Sequence, residues 1–378
     1  MILLDGRALQ TPSAVRGIGT YVRGLLSGFL ELGAPLDIEL LLTRGRPDPP
    51  EVKAPLRAAS ARIAAAHPTL QPVLDPLLVA RALRRLSPRL YHAVEWGQPL
   101  TPGRTPVVIT VHDLISFIFP RDYPWVRRSH LGPLRLLRRA DRIIAVSQST
   151  AADLLRIAHV DPSRLVTIPE GVADVFDAVP REQIAAVRAR HGLGRPYVLA
   201  VGTFDPRKRI QTLASTVRKL AGWHDVDLVI AGDQGTFGAS VLAALAREGI
   251  TARSHVIGHV TTDDLAALYA GSLCLLFTSA YEGFGLPPLE AMRCGTGVVM
   301  FRNSSLTEIA GPAALLVPDG DAEAMARAAA ALIGDTAERS RRIGAGREWS
   351  RGFTWRRTAE RTLAVYEDAM ARRDESSA

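Results

Sequence analysis

The feature that most constrains this chain is its rhythm. Short apolar runs rich in β-branched residues alternate with stretches of helical periodicity along its whole length. Runs at 2–5, 38–42, 107–111, 143–146 and 165–168 are strand candidates in the first half. Those at 197–202, 227–231, 255–257, 273–277, 297–301 and 314–317 are the candidates in the second. Most are apolar at consecutive positions rather than alternate ones. Such a strand must be covered on both faces, and parallel sheets flanked by helices provide that cover. Val22, Leu25, Leu26, Phe29 and Leu30 recur at helical spacing, and Gly33 is placed to end that helix. Two sets of five or six strands predict an α/β protein of two doubly wound domains rather than one large sheet.

The predicted domains are 1–175 and 176–353, followed by a terminal segment 354–378. Between 173 and 196 the chain runs ADVFDAVP, then a short amphipathic helix, then HGLGRP, and then a fresh strand YVLAVG. The stretch 43–55 is rich in proline and charge and reads as a surface loop. A last helix over 354–371 carries Trp355, Leu363, Val365 and Tyr366, and the tail RRDESSA is expected to fray. Two cysteines, Cys274 and Cys294, exclude a disulfide scaffold and a cysteine zinc site. Asp5 and Arg7 interrupt what would be a signal peptide's apolar stretch, and no apolar run reaches the ~18 residues that span a bilayer. A cytoplasmic protein is the expectation.

Charge is uneven. The chain carries 46 basic and 38 acidic residues, and residues 1–175 hold 22 and 15 of them. The excess is dense at Arg81, Arg84, Arg85 and Arg89 and again from Arg121 to Arg142. Such a face suits anionic lipid headgroups or a phosphorylated acceptor. It argues less for nucleic acid, because aromatics are 6% of the chain and no nucleic-acid module motif occurs. Three lysines stand among the basic residues, Lys53, Lys208 and Lys219, so a lysine in a suggestive place runs against the chain's habit.

The most informative segment begins at Ser279 and reads SAYEGFGLPPLEAMRCG. A buried strand enters a glycine-bearing loop, and a helix opens at Pro287-Pro288, where the missing amides need no intrahelical acceptor. Gly283 and Gly285 let backbone approach a ligand. The amides near Phe284 and Leu286 open a helix whose end carries partial positive charge. Glu282 and Glu290 frame the loop and suit the hydroxyls of a sugar or ribose. A second segment, VGTFDPRKR, also follows a strand. After Gly202 it sets Arg207 and Lys208 at the opening of the next helix, where the macrodipole disfavours cations unless a diphosphate is bound. His112 ends the run VVITVH, and Gly17 and Gly19 form the turn into the first helix. That turn lacks the third glycine of a dinucleotide fingerprint, since Val22 stands there. Asp319-Gly-Asp321 reads as a turn and N-cap for a helix at 322–333, and no metal site is expected. No nucleophile elbow or P-loop occurs.

On these residues the chain resembles the family 4 (group 1) retaining glycosyltransferases of the GT-B fold, and is similar to bacterial mannosyltransferases. The resemblance runs through RGIGTYVRGLL, VHDLI, AVSQSTAADL, TIPEGV, VGTFDPRKRI, SAYEGFGLPPLEAMRCGTGVV and SSLTEIAG. It implies two Rossmann-like domains facing across a cleft, an acceptor-binding first domain, a nucleotide-sugar-binding second domain, and a final helix returning to the first. By the same resemblance Glu282 contacts the donor sugar, and Glu290 binds the ribose. Arg207 and Lys208 clamp the diphosphate. The backbone at Gly202 and at Gly283, Phe284, Gly285 and Leu286 lines the donor. His112 lies beside the reacting carbon, and Gly17 and Gly19 border the phosphates and acceptor. No cofactor is implied. The substrates implied are a nucleotide-sugar donor, with GDP-mannose favoured over a UDP-sugar, and a saccharide or lipid-linked acceptor at the inner membrane face. A peripheral contact with anionic membrane through the basic half goes with that acceptor. Two rivals share the architecture: a sugar-nucleotide epimerase, and a non-catalytic sugar-nucleotide-binding protein. The second would normally have lost Glu282, Lys208 or Glu290, and all three are present.

Overall fold

The computed structural model describes residues 1–33, 37–50, 60–64, 71–96, 103–203, 205–232 and 237–377. The chain divides into two compact units, Met1–Gly171 with Thr354–Ala378, and Val172–Phe353.

In the first unit the strands are β1 (Ile2–Asp5), β2 (Ile38–Thr43), β3 (Ser60–Ile63), β4 (Leu90–Ala93), β5 (Val107–Val111), β6 (Arg142–Ala145) and β7 (Leu165–Thr167). They form one parallel sheet in the order β3-β2-β1-β4-β5-β6-β7. The strand period of two sends neighbouring side chains to opposite faces. Leu3, Tyr91, Ile109 and Ile143 pack on one face with Val79 and Leu83 of the helix Gln71–Leu86. Leu4, Leu40, Val108 and Ile144 pack on the other with Val22, Leu25 and Phe29 of the helix Gly17–Glu31 and with Trp355 and Tyr366. Each such Leu or Ile, fully buried, contributes ~1.5–3 kcal/mol.

The terminal helix Trp355–Ser377 lies in this unit. It seats closely because Gly24 and Gly28 have no side chain: a Cβ on Gly24 would fall 2.0 Å from the Trp355 ring, and one on Gly28 2.2 Å from its carbonyl oxygen. The tail expected to fray from Arg372 is instead helical through Ser377. Its start is tied down by Arg372 to Asp368 at 3.2 Å and by Arg373 to Asp141 at 3.2 Å. The surface loop read at 43–55 lies outside the described residues from 51 onward.

The second unit holds β8 (Tyr197–Val201), β9 (Asp227–Ala231), β10 (Ser254–Gly258), β11 (Cys274–Phe277), β12 (Gly297–Phe301) and β13 (Leu315–Val317). They form a parallel sheet in the order β10-β9-β8-β11-β12-β13. Val198, Leu228, Leu276 and Val299 bury one face against Leu213 and Val217 of the helix Ile210–Ala221 and Met325 of the helix Ala322–Gly334. Asp321 caps that last helix, its carboxylate accepting the Ala324 amide at 2.9 Å. In each sheet the strand order reverses once, between β1 and β4 and between β8 and β11. Ligands of open α/β sheets bind outside the carboxyl ends of the strands at such a reversal.

Candidate functional site

At the reversal in the second unit, the segments after β8 and after β11 meet. After β8 the chain does not enter a helix directly, as the sequence suggested. Pro206–Lys208 make a single 3-10 turn, Arg209 takes a left-handed conformation at φ 48°, and the regular helix begins at Ile210. Arg207 and Lys208 therefore precede the helix N-terminus and project from a short turn. Proline at the first turn position fixes this entry. Arg209 forks onto Asp319 at 2.8 and 2.9 Å, which leaves it outside the Arg207–Lys208 cluster.

Lys208 is 7% exposed, and its ammonium meets Glu282 Oε1. Arg207 Nη1 reaches the same oxygen at 2.7 Å, and its Nε lies 3.3 Å from Asp205. Arg207 also donates to the Tyr281 carbonyl at 3.2 Å. The turn is stitched to the β11 segment through backbone: the Ala280 amide donates to the Arg207 carbonyl at 2.8 Å, and the Thr278 hydroxyl to the Lys208 carbonyl at 2.7 Å. Burial works against charge on Glu282, but Arg207 and Lys208 outweigh it and hold the carboxyl at about 2. Burial pushes the Lys208 ammonium below its ordinary value, against the pull of Glu282. The Lys208 ammonium also lies 4.6 Å from the centre of the Phe277 ring.

Gly202 lies against the Lys208 side chain. Its φ is 132°, and a Cβ there would sit 3.3 Å from the Lys208 ammonium. Gly232, after β9, has φ 137°, and a Cβ would fall 2.2 Å from the Gly202 carbonyl oxygen. No motif singles out Gly232, although its position just after a strand matches that of Gly202.

The loop after β11 turns into the helix Leu286–Arg293 through Gly285 at φ 114°. Two serines that the sequence pattern does not mark as site residues hold the loop. Ser304 accepts the Glu282 amide at 3.0 Å, and Ser305 donates to the carbonyls of Glu282 and Phe284 at 2.9 and 2.6 Å. Both lie in the SSLTEIAG stretch. Gly283, Phe284 and Leu286 are buried beside them. Glu290, one helical turn in, accepts the Tyr269 hydroxyl on Oε2 at 2.9 Å. Tyr269 thus orients the carboxylate, and nothing in the sequence pattern singles it out.

The structure brings Arg207, Lys208, Glu282 and Gly202 into one cluster, with Gly283–Leu286 and Glu290 on the adjoining loop and helix. His112, Gly17 and Gly19 belong to the first unit. His112 follows β5 and is almost buried. Nδ1 faces Glu170 Oε1 at 3.0 Å and Nε2 faces the Val94 carbonyl at 3.0 Å. Gly19 sits in the first turn of its helix, where a Cβ would fall 2.2 Å from the Ala14 carbonyl oxygen, whereas Gly17 has open space around it.

Residues 183–349 match the family described as Glycosyl transferases group 1, and residues 15–176 match Glycosyltransferase Family 4. The O-antigen chain mannosyltransferase B of Escherichia coli is 29% identical over 78% of this chain and 78% of its own length. The serotype-specific mannosyltransferase WbdA of the same organism is 28% identical over 82% of this chain, which spans 41% of that protein. Among solved structures, sucrose-phosphate synthase from Thermosynechococcus elongatus superposes with a TM-score of 0.79 at 23% identity, covering 98% of this chain and 99% of that one. Both halves of the chain, the two parallel sheets and the relatives agree: this is a hexosyl-transferring enzyme of the GT-B fold, and the chain belongs to the group 1, family 4 glycosyltransferases.

Proposed function

We propose that this glycosyltransferase moves a hexose, mannose being favoured, from a nucleoside-diphosphate sugar to a saccharide or lipid-linked acceptor, with retention at the anomeric carbon. The observation that carries this reading is the Arg207–Lys208–Glu282 cluster, set before the helix Leu286–Arg293 at the strand-order reversal. Departure of the diphosphate builds negative charge on its oxygens. Cations and helix-end amides fixed in advance stabilise that charge without reorganising. Arginine can fork onto phosphate oxygens, and lysine adds a compact charge. In this assignment a diphosphate takes over the cations, and Glu282 turns to the hydroxyls of the donor sugar. The amides of Gly283–Leu286 face sugar and phosphate, and Glu290, oriented by Tyr269, takes the ribose. Gly202 lets the phosphates approach, His112 contacts the donor sugar, and Gly17 and Gly19 border the phosphates and the acceptor.

GDP-mannose is the preferred donor, in line with the mannosyltransferase relatives. A thermal-shift screen of the GDP, UDP, ADP and dTDP sugars tests it, because a ligand at a hundred times its Kd stabilises the fold by about 2.7 kcal/mol. Selective stabilisation by GDP-mannose, with mannose found in an acceptor product, supports the assignment. Stabilisation by none of them refutes it.

With this acceptor goes a proposed peripheral contact at the inner membrane face, supported by one exposed helix. The helix Pro124–Leu136 buries no residue, and its Trp125 is 77% exposed. Arg127, Arg128 and Arg135 are exposed along it, and no carboxylate occurs between Tyr123 and Ala140. Among the described residues, these three arginines form no ion pair, so their charge is available to anionic headgroups. No helix among the described residues is long and apolar enough to cross a membrane.

A further inference from the structure

We propose that Glu170 is a positioning residue that holds His112 as a doubly protonated, two-point-anchored imidazolium, and that this is the form of His112 that serves the transfer. The inference rests on the proposed glycosyl transfer and adds Glu170 to it. It begins with what the two ring nitrogens face. Nε2 lies 3.0 Å from the Val94 backbone carbonyl, an oxygen that can only accept. That nitrogen must carry a hydrogen. Nδ1 lies 3.0 Å from a carboxylate oxygen of Glu170, which when ionised can also only accept. With both nitrogens donating, the ring is cationic and has no lone pair left. It is not a general base, and it cannot turn without breaking one of its two anchors.

A second histidine provides the contrast. His92 lies on β4, the strand beside β5, and is completely buried. Its nitrogens face hydroxyls, Tyr366 at 2.6 Å and Thr110 at 2.9 Å, which can donate as well as accept. Burial, with His112 adding repulsion, keeps His92 neutral, at about 3. For His112, burial also opposes charge. The bond and charge of Glu170, followed by the charges of Asp113 and Glu95, outweigh burial and raise it above its ordinary value. Among the described residues, the neutral Tyr21 also packs its ring edge-on against the imidazole at 4.8 Å, and His92 lies close enough to feel its charge. One imidazole is thus kept neutral as structure, and its neighbour is kept charged at the carboxyl end of β5. Pairs of titratable groups pushed apart in this way mark where a fold has assigned charge.

A fixed imidazolium suits a reaction in which negative charge builds on a departing phosphate. Removing the carboxylate charge while keeping its shape, in Glu170→Gln, lets the ring fall back to or below an ordinary imidazole value of ~6.5. About one ring in ten is then doubly protonated at pH 7.5. The expected result is a fall in kcat on the order of tenfold at pH 7.5, recovered toward pH 6, with the alkaline limb of the profile moved to lower pH. Glu170→Asp, which keeps the charge, restores much of the wild-type profile. Nitrogen-15 NMR of the His112 ring should show two N–H groups at pH 7.5 in the wild type and in Glu170→Asp, but one in Glu170→Gln. A wild-type ring that is neutral at pH 7.5 overturns the proposal, and so does a Glu170→Gln profile superimposable on the wild type. Failure of the wild-type chain to transfer any sugar would sink the glycosyl-transfer reading instead, while the NMR arm still decides the state of His112.

Discussion

Lys208→Ala is the perturbation with the most direct consequence. An ammonium about 4 Å from a phosphate charge interacts by ~4 kcal/mol at the effective dielectric of a partly buried site. In the free protein the same ammonium is held by Glu282. Part of that interaction is therefore an exchange of one anion for another. What remains is comparable to removing a single oxyanion donor, about 3 kcal/mol, or on the order of a hundredfold in kcat. The fold should survive, because Glu282 keeps Arg207 at 2.7 Å and no carboxylate is stranded. The assay is initial-rate transfer at saturating donor, with kcat and KM separated and a melting curve on the same preparation. Lys208→Arg should not rescue the rate. Arginine's planar fork is not a point charge, and position 208 is buried, with the ammonium 4.6 Å from the centre of the Phe277 ring, which leaves little room for the larger head. A kcat within threefold of wild type in folded Lys208→Ala would refute the diphosphate assignment.

Three other outcomes follow from the geometry. Gly285→Ala places a methyl group 2.6 Å from Ile309 at a φ of 114°; strain of about 1–3 kcal/mol should lower the melting temperature of the second unit by several degrees and raise the donor KM. His92 is neutral in the fold but takes up a proton near pH 6.5 once unfolded, so its folded value of about 3 lies below the unfolded one and stability drains as pH falls from 6.5 toward 3, at up to ~1.4 kcal/mol per pH unit. Urea denaturation of His92→Gln between pH 7 and pH 5 should show a flatter loss than wild type, and equal slopes would contradict the burial argument. Reversing Arg127, Arg128 and Arg135 to Glu should abolish co-sedimentation with phosphatidylglycerol vesicles at low salt while leaving transfer to a soluble acceptor intact, and undiminished sedimentation would remove the membrane contact.

The sequence disclosed the strands whose apolar runs are unbroken, such as CLLF and GVVMF, because burial on both faces leaves no polar position. It concealed β4. That strand is fully buried, yet it reads LYHA, with Arg89 before it and His92 within it. Its polar side chains are satisfied by partners distant in sequence, Asp5 for Tyr91 and Tyr366 for His92. β3 was concealed for the opposite reason: as an edge strand it carries Ser60 and Arg62, the latter paired with Asp48 at 2.6 Å. The candidate site divides in the same way. Glu282, Lys208 and Glu290 were legible because a carboxylate or lysine after a buried strand is chemically conspicuous. Glu170, Tyr269, Ser304 and Ser305 were not, since each acts on another residue's orientation, and that relation exists only once the segments are folded together.

The two strand-order reversals show how little the sheet itself decides. In the first unit the residue after β1 that could hold an anion is Arg7, but Asp5 grips it at 2.9 and 2.6 Å and Asp75 at 3.2 Å, while Tyr91 donates to Asp5 at 2.6 Å. Glu95, at the end of the neighbouring β4, is raised chiefly by its burial, with Asp5 and Asp113 adding to the effect. Asp5, Asp75, Asp113 and Glu170 outnumber the cations Arg7 and His112 there, so a whole diphosphate would find fewer partners than in the second unit, whereas neutral hydroxyls would find acceptors. In the second unit two cations share Glu282 before a helix N-terminus, and displacing one carboxylate leaves both facing a new anion. The same doubly wound topology thus presents opposite electrostatics at equivalent positions. The difference lies entirely in the few residues after the strands, which is where function is grafted onto a shared fold. On that ground we propose that the activated sugar's diphosphate belongs to the second unit and the hydroxyl-rich acceptor to the first.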